Sequence, residues 1–67
     1  MNRIYVGTLS AAMRAGDILR EAGYNAAIGR MVGAAEGCGY EIITDLATDR
    51  AIRLLRSRGV RPRSEPT

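Results

Sequence analysis

The chain has 67 residues, one cysteine, no histidine and a net charge of +3 that comes from ten arginines and no lysine. One cysteine excludes an internal disulfide, and the absence of histidine excludes catalysis by a cysteine–histidine pair. No apolar run approaches the roughly 20 residues of a membrane-spanning helix, so we expect no membrane insertion.

The first third of the chain predicts a strand followed by a helix. Residues 3–8 combine β-branched and aromatic side chains and end in Gly7-Thr8, which is typical of a strand. From residue 11 the apolar period changes to that of an amphipathic helix, with Ala11, Ala15 and Ile18 on one face. Thr8 or Ser10 is a suitable N-cap, and Gly23 suits the left-handed residue that ends a helix.

The remainder predicts two strands and a second helix. We expect strands at 24–32 and 40–44, separated by a glycine-rich loop at 33–39. A helix capped by Asp45 or Thr48 then extends to Gly59. Val60 begins a short fourth strand at most. We therefore expect one domain over residues 1–60 and a disordered tail over residues 61–67.

This order, βαββα with an incomplete final strand, predicts an α+β fold of the ferredoxin-like type. Two helices cover one face of a small antiparallel sheet in that fold. The first and second strands run parallel, because a right-handed helical crossover joins them, and the third strand lies beside the first.

The predicted topology brings the only cysteine to the start of the first helix. Cys38, flanked by Gly37 and Gly39, is expected near Thr8 and Ser10, where unpaired N–H groups and the positive end of the helix dipole lie. Both lower the pKa of a thiol. We therefore predict Cys38 as an acceptor thiol and the other four residues as its binding surroundings.

A structural cysteine is the alternative interpretation, because single cysteines commonly pack as small apolar residues. Without a histidine to act as a base, even a reactive Cys38 suits the carrying of a group better than catalytic turnover. The acidic residues show no metal-ligand spacing around the thiol, so we predict no metal and no cofactor. A free thiol fits the reducing cytoplasm.

Three stretches of the sequence resemble a family of small bacterial domains. These stretches are TLSAAMRAGDILREAG, GRMVGAAEGCGYEI and LLRSRGV, and together they cover much of residues 4–60. They resemble the selenium/sulfur carrier-like family, whose function is not established, and the Cys38-Gly39 pair is the motif-like part. The resemblance implies that Cys38 carries a persulfide or selenide between donor and acceptor proteins.

Two surfaces indicate the kind of partner. Tyr5, with Ile42 or Ile43, is expected on the uncovered face of the sheet, which predicts a homodimer or another protein partner there. The second helix presents a stripe of arginines without interleaved aromatic residues, which favours a solvated face and argues against nucleic-acid binding.

Overall fold

The computed structural model of the chain describes residues 1–34 and 37–63; for residues 31–34, 37 and 38 it describes the backbone. The elements are β1 (Asn2–Gly7), α1 (Leu9–Glu21), β2 (Ala26–Ala34), β3 (Gly37–Thr44) and α2 (Thr48–Ser57). The predicted order of two helices and three strands is confirmed.

The sheet has the strand order β1-β3-β2. The central strand β3 is antiparallel to both neighbours, so β1 and β2 run parallel to each other. Helix α1 joins these two strands and packs against the sheet together with α2. This is an α+β arrangement of the ferredoxin-like type, and it confirms both the predicted fold and the predicted place of the third strand beside the first.

The core lies between the helices and one face of the sheet. Its sheet layer contains Ile4, Val6 and Ile42, which are at most 4% exposed. Facing them are small and branched residues of α1 and α2, and Leu46 and Val60 complete the cluster. The helix residues are Ala12, Ala15, Ile18, Leu19, Ala51, Ile52 and Leu55. The alanines let the helices approach the sheet closely, because an alanine side chain ends at its Cβ.

The segment predicted as a loop at 33–39 is largely a β-hairpin, so that prediction is wrong. β2 extends to Ala34 and β3 begins at Gly37, with these two residues opposite each other. Cys38 and Gly39 therefore belong to a strand. Glycine-rich sequence resembles a loop, but backbone pairing across a hairpin requires no side chains. The part of the predicted loop at 35 and 36 lies outside the described residues.

The predicted caps of the second helix are also wrong. Ala47 is the N-cap of α2 and makes no side-chain hydrogen bond to it. The Asp45 carboxylate instead accepts hydrogen bonds from the backbone N and the Nδ2 of Asn25, both at 3.1 Å. Asp45 thus holds the end of β3 to the start of β2.

The folded unit continues beyond the predicted boundary at residue 60. Val60 is 4% exposed, and Pro62 is also buried. The backbone N–H of Arg63 donates to the carbonyl of Tyr5 at 2.7 Å. Residues 60–63 therefore lie along the free edge of β1, where a fourth strand of this fold belongs, without forming a regular strand. The rest of the predicted tail, residues 64–67, lies outside the described residues.

Neither described helix is both long and apolar enough to cross a membrane.

Candidate functional site

The sheet register places the backbone of Cys38 at the end of the sheet where α1 begins. Gly7, the last residue of β1, lies opposite Tyr40. Because β1 and β3 are antiparallel, Gly39 and Cys38 extend past Gly7 on the side toward which the chain turns into α1. The predicted juxtaposition of this strand end and the helix start is therefore present in the backbone.

The start of α1 is organised by Thr8. Its side-chain oxygen accepts a hydrogen bond from the N–H of Ala11 at 3.1 Å, and its carbonyl accepts from Ala12 at 3.0 Å. Ser10 lies inside the first turn and is exposed, so Thr8 is the cap and Ser10 is not. Within the described residues the N–H groups of Leu9 and Ser10 meet no acceptor. These two donors are the part of the helix start that an anion can use.

Gly39 packs against an aromatic side chain of the neighbouring strand β1. Its backbone does not adopt the left-handed conformation that a turn requires. Instead the ring of Tyr5 lies over it, and a Cβ at Gly39 would collide with Cε1 and Oη of that ring and lie 2.8 Å from Cζ. Tyr5 is opposite Glu41, so Gly39 is its diagonal neighbour across the strands. The glycine makes room for the ring.

Arg63 is a residue of this region that sequence reasoning missed. Its side chain lies over Gly7, and a Cβ built at Gly7 would be 2.9 Å from Nε. Gly7 has a φ of 95°, in the left-handed region, where the chain turns from β1 into α1. The guanidinium therefore adds a positive charge beside the helix start. No local feature of the sequence predicts this position of the Arg63 side chain, because the position depends on the path of residues 60–63.

The structure describes Gly37 and Cys38 by their backbone alone, so the exposure and the acidity of the thiol stay predictions. Within the described part of the chain, no group of three or more histidine, cysteine or acidic side chains is arranged to hold a metal ion. The described part of the candidate site therefore consists of the Cys38 backbone, the helix cap at Thr8 and the guanidinium of Arg63.

The sheet face opposite the helices carries an ion pair. Arg3 Nη1 lies 2.9 Å from Glu41 Oε2, and the Glu41 side chain is only 8% exposed whereas that of Arg3 is 70% exposed. The Glu41 carboxylate lies over Gly29, where a Cβ would be 3.0 Å from Oε2. We call this surface the open face; it also contains Tyr5 and Ile43, both half-buried.

The predicted partner surface requires one correction. Ile42 is 0% exposed and belongs to the core, paired with Ile4 and Ile28. It cannot contact a partner, because alternation along β3 directs it to the helices. Of the two predicted residues, Ile42 and Ile43, only Ile43 lies on the open face, where it is opposite Arg3. Tyr5 and Ile43 remain as a predicted partner surface.

The arginines near the C-terminus do not form one continuous stripe. Arg53 lies 3.9 Å from Asp49, the pair expected from their spacing of four residues. Arg58 lies 3.8 Å from Glu21 on α1, and Arg63 lies over Gly7. The charges are thus divided among several places on the fold.

Comparison of the chain with protein-family models, with curated proteins and with solved structures found no match.

Proposed function

We propose that the protein is a cytoplasmic sulfur or selenium carrier in which the thiol of Cys38 accepts the transferred atom. The observation that carries the proposal is the pairing of Gly7 with Tyr40. This pairing brings the strand end that contains Cys38 to the helix start at Leu9, where two N–H donors meet no acceptor among the described residues. Such donors favour the thiolate over the thiol.

The transfer needs no base on this chain. The Cys38 thiolate attacks the outer sulfur of a donor persulfide, R–S–SH. A new S–S bond forms to Cys38 while the donor S–S bond breaks, and its electron pair leaves on R–S⁻. The product is a persulfide, Cys38–S–SH, and the charge of −1 is conserved. The cation of Arg63 and the amides at the start of α1 favour the anionic form of either sulfur species.

Mass spectrometry of the protein purified without reductant tests this proposal. We expect an intact chain carrying the mass of one additional sulfur or selenium atom, removed by a reducing agent and absent from Cys38→Ser. Incubation with a small-molecule persulfide should load the wild-type chain and leave the Cys38→Ser chain unloaded. A wild-type chain that takes up no atom under these conditions contradicts the carrier function.

The rate of alkylation as a function of pH tests the electrostatic argument separately. A thiolate stabilised by positive groups has a pKa below the ordinary value of about 8.5. We expect such a lowered pKa for Cys38, and we expect Arg63→Ala to raise it, because a nearby cation favours the charged form. Arg53→Ala is the matched control, since Arg53 pairs with Asp49 on α2.

A non-enzymatic interaction module is the second candidate function, with Cys38 as a structural residue. The open face supports it, because neither described helix covers this side of the sheet, which presents Tyr5 and Ile43 beside a largely buried carboxylate. A Cys38 pKa at or above about 8.5, together with protection from alkylation in the folded state, would favour this function over the first.

A further inference from the structure

A row of three isoleucines crosses the sheet on the side that faces the helices. Ile4 pairs with Ile42, and Ile42 pairs with Ile28, so one residue comes from each strand. Ile4 and Ile42 are 0% exposed, whereas Ile28 on β2 is 39% exposed. In this row the helix layer therefore covers the residues of β1 and β3 and leaves the residue of β2 partly open.

The exposed flank of α1 lies on the same side of the molecule. Arg14 reaches toward α2, where its Nη2 donates to the carbonyl of Arg58 at 3.1 Å. Leu9 and Met13, one turn apart on the other flank of α1, are 45% and 54% exposed. Because α1 packs mainly on β2 and β3, and α2 packs on β1 and on the opposite flank of α1, this flank lies on the β2 side of the helix layer. We call Leu9, Met13 and Ile28 the rim patch.

The two edges of the sheet differ in what borders them. Residues 60–63 border β1, and the N–H of Arg63 donates a hydrogen bond to the carbonyl of Tyr5. The outer edge of β2 has no neighbouring strand in the part of the chain that the structure describes. The sequence of β2, AAIGRMVGA, contains one charged residue and no proline, so it lacks the features that usually prevent an edge strand from pairing.

We propose that a second copy of this chain occupies this edge, with β2 pairing antiparallel to β2 of its partner about a two-fold axis at Ile28. Residues directly opposite in an antiparallel pair share a face. With the helices of both copies on one side of the sheet, a residue must therefore lie opposite its own counterpart. The axis at Ile28 joins the two isoleucine rows into one row across a six-stranded sheet.

Charge complementarity favours this register over a neighbouring one. Arg30 lies two residues from Ile28, so it comes opposite Ala26 of the partner copy. Next to Ala26 is Asn25, whose N and Nδ2 bind the carboxylate of Asp45. Each Arg30 thus approaches the Asp45 carboxylate of the other copy. An axis at Arg30 would instead place the two arginines opposite each other, which is destabilising.

The same geometry limits the assembly to two chains. An isologous interface uses the same patch on both copies, so it closes when the second copy binds. The outer edges of the resulting sheet are the two β1 strands, each already bordered by residues 60–63. The pairing also brings Ile28 of each rim patch to the interface, where its exposed side chain loses contact with water.

Light scattering coupled to size-exclusion chromatography, over a range of protein concentrations, tests the proposal. We expect a dimer for the wild type and a shift to monomer in Ile28→Lys, with at least a tenfold weaker association. Ser57→Lys adds the same charge at an exposed position at the end of α2 and should leave the dimer intact. A monomeric wild type at the highest concentration, or an Ile28→Lys dimer as tight as the wild type, overturns the proposal.

Disulfide trapping tests the register and does not depend on the folding of Ile28→Lys. In a Cys38→Ser background, Ile28→Cys places two thiols on the axis, where the Cα atoms are about 4.5–5.5 Å apart. In the control Ala27→Cys the two Cα atoms of residue 27 are about 8 Å apart, because Ala27 lies opposite Gly29 of the partner copy. That distance exceeds the limit of about 7 Å for a disulfide. Fast cross-linking of Ile28→Cys alone supports the proposal, and equal or reversed rates overturn it.

Discussion

The contact between Gly7 and Arg63 can be tested by replacing the glycine with alanine. Gly7 has a φ of 95° and Gly23 has a φ of 96°, so both are in the same left-handed region. They differ in their surroundings, because nothing lies within 4 Å of a Cβ built at Gly23, whereas Arg63 Nε is 2.9 Å from one built at Gly7. Gly23→Ala therefore measures the backbone cost alone.

The expected loss in the free energy of unfolding differs between the two variants for this reason. A left-handed backbone costs an L-residue roughly 1–2 kcal/mol, and the reduced freedom of the unfolded chain offsets about 0.4–1 kcal/mol of it. We expect Gly23→Ala to lower the free energy of unfolding by about 1 kcal/mol. Gly7→Ala must also displace the Arg63 side chain, which lies where the new Cβ would be. Moving this side chain strains the segment whose N–H binds the Tyr5 carbonyl, which adds about 0.5–1 kcal/mol, up to the typical net size of one hydrogen bond.

Thermal unfolding followed by circular dichroism, at one fixed protein concentration, measures both variants. The expected difference corresponds to roughly 2–8 °C in Tm for a domain of this size. In an Arg63→Ala background the two glycine variants should cost the same, because the displaced side chain is gone. Equal costs in the wild-type background, or a difference that persists without Arg63, would refute the placement of this side chain over the helix start.

Three further predictions concern other contacts near the candidate site and on the open face. Gly39→Ala should destabilise the fold by about 1–3 kcal/mol through overpacking against the Tyr5 ring, and Tyr5→Ala in the same chain should relieve most of that added cost. A double-mutant cycle of Arg3→Gln and Glu41→Gln should give a coupling of about 1 kcal/mol that salt weakens, since Arg3 is 70% exposed; zero coupling would contradict the ion pair. Thr8→Ala should cost about 1 kcal/mol in thermal unfolding whereas Thr8→Ser, which keeps the capping oxygen, should cost much less.

The architecture could be predicted because each element carries a local signal. The change of apolar period after Thr8 marks α1, and β-branched residues mark β1 and the second half of β3. Because a helix returns the chain across the sheet between them, β1 and β2 are then expected to run parallel without further information. These features depend only on neighbouring residues and on general rules of chain connection, and the structure confirms them.

The errors concern features that depend on contacts distant in the sequence. Asp45 looks like a helix cap, but Asn25 is 20 positions away and provides it with two N–H donors. Arg63 looks like part of a tail, yet its N–H binds Tyr5. At Gly39 the need for a glycine comes from a ring on another strand. Local propensity does not report such contacts, because the partner is set by the register of the sheet.

The register also determines how the proposed dimer relates to the proposed carrier site. Gly39 lies opposite Met31, three residues along β2 from the axis at Ile28. The two copies of Gly39 are therefore about 20 Å apart along the strand direction, and the two β2 strands separate them further across the sheet. Cys38 is adjacent, so a disulfide between the two Cys38 residues, which requires Cα atoms within about 7 Å, cannot form in this dimer. The non-covalent dimer should then persist unchanged in reductant, with each Cys38 retained as a separate thiol at its own end of the sheet. A dimer that dissociates on reduction would be held by Cys38 instead, and it would contradict both the edge pairing and the availability of the thiol for carrying an atom.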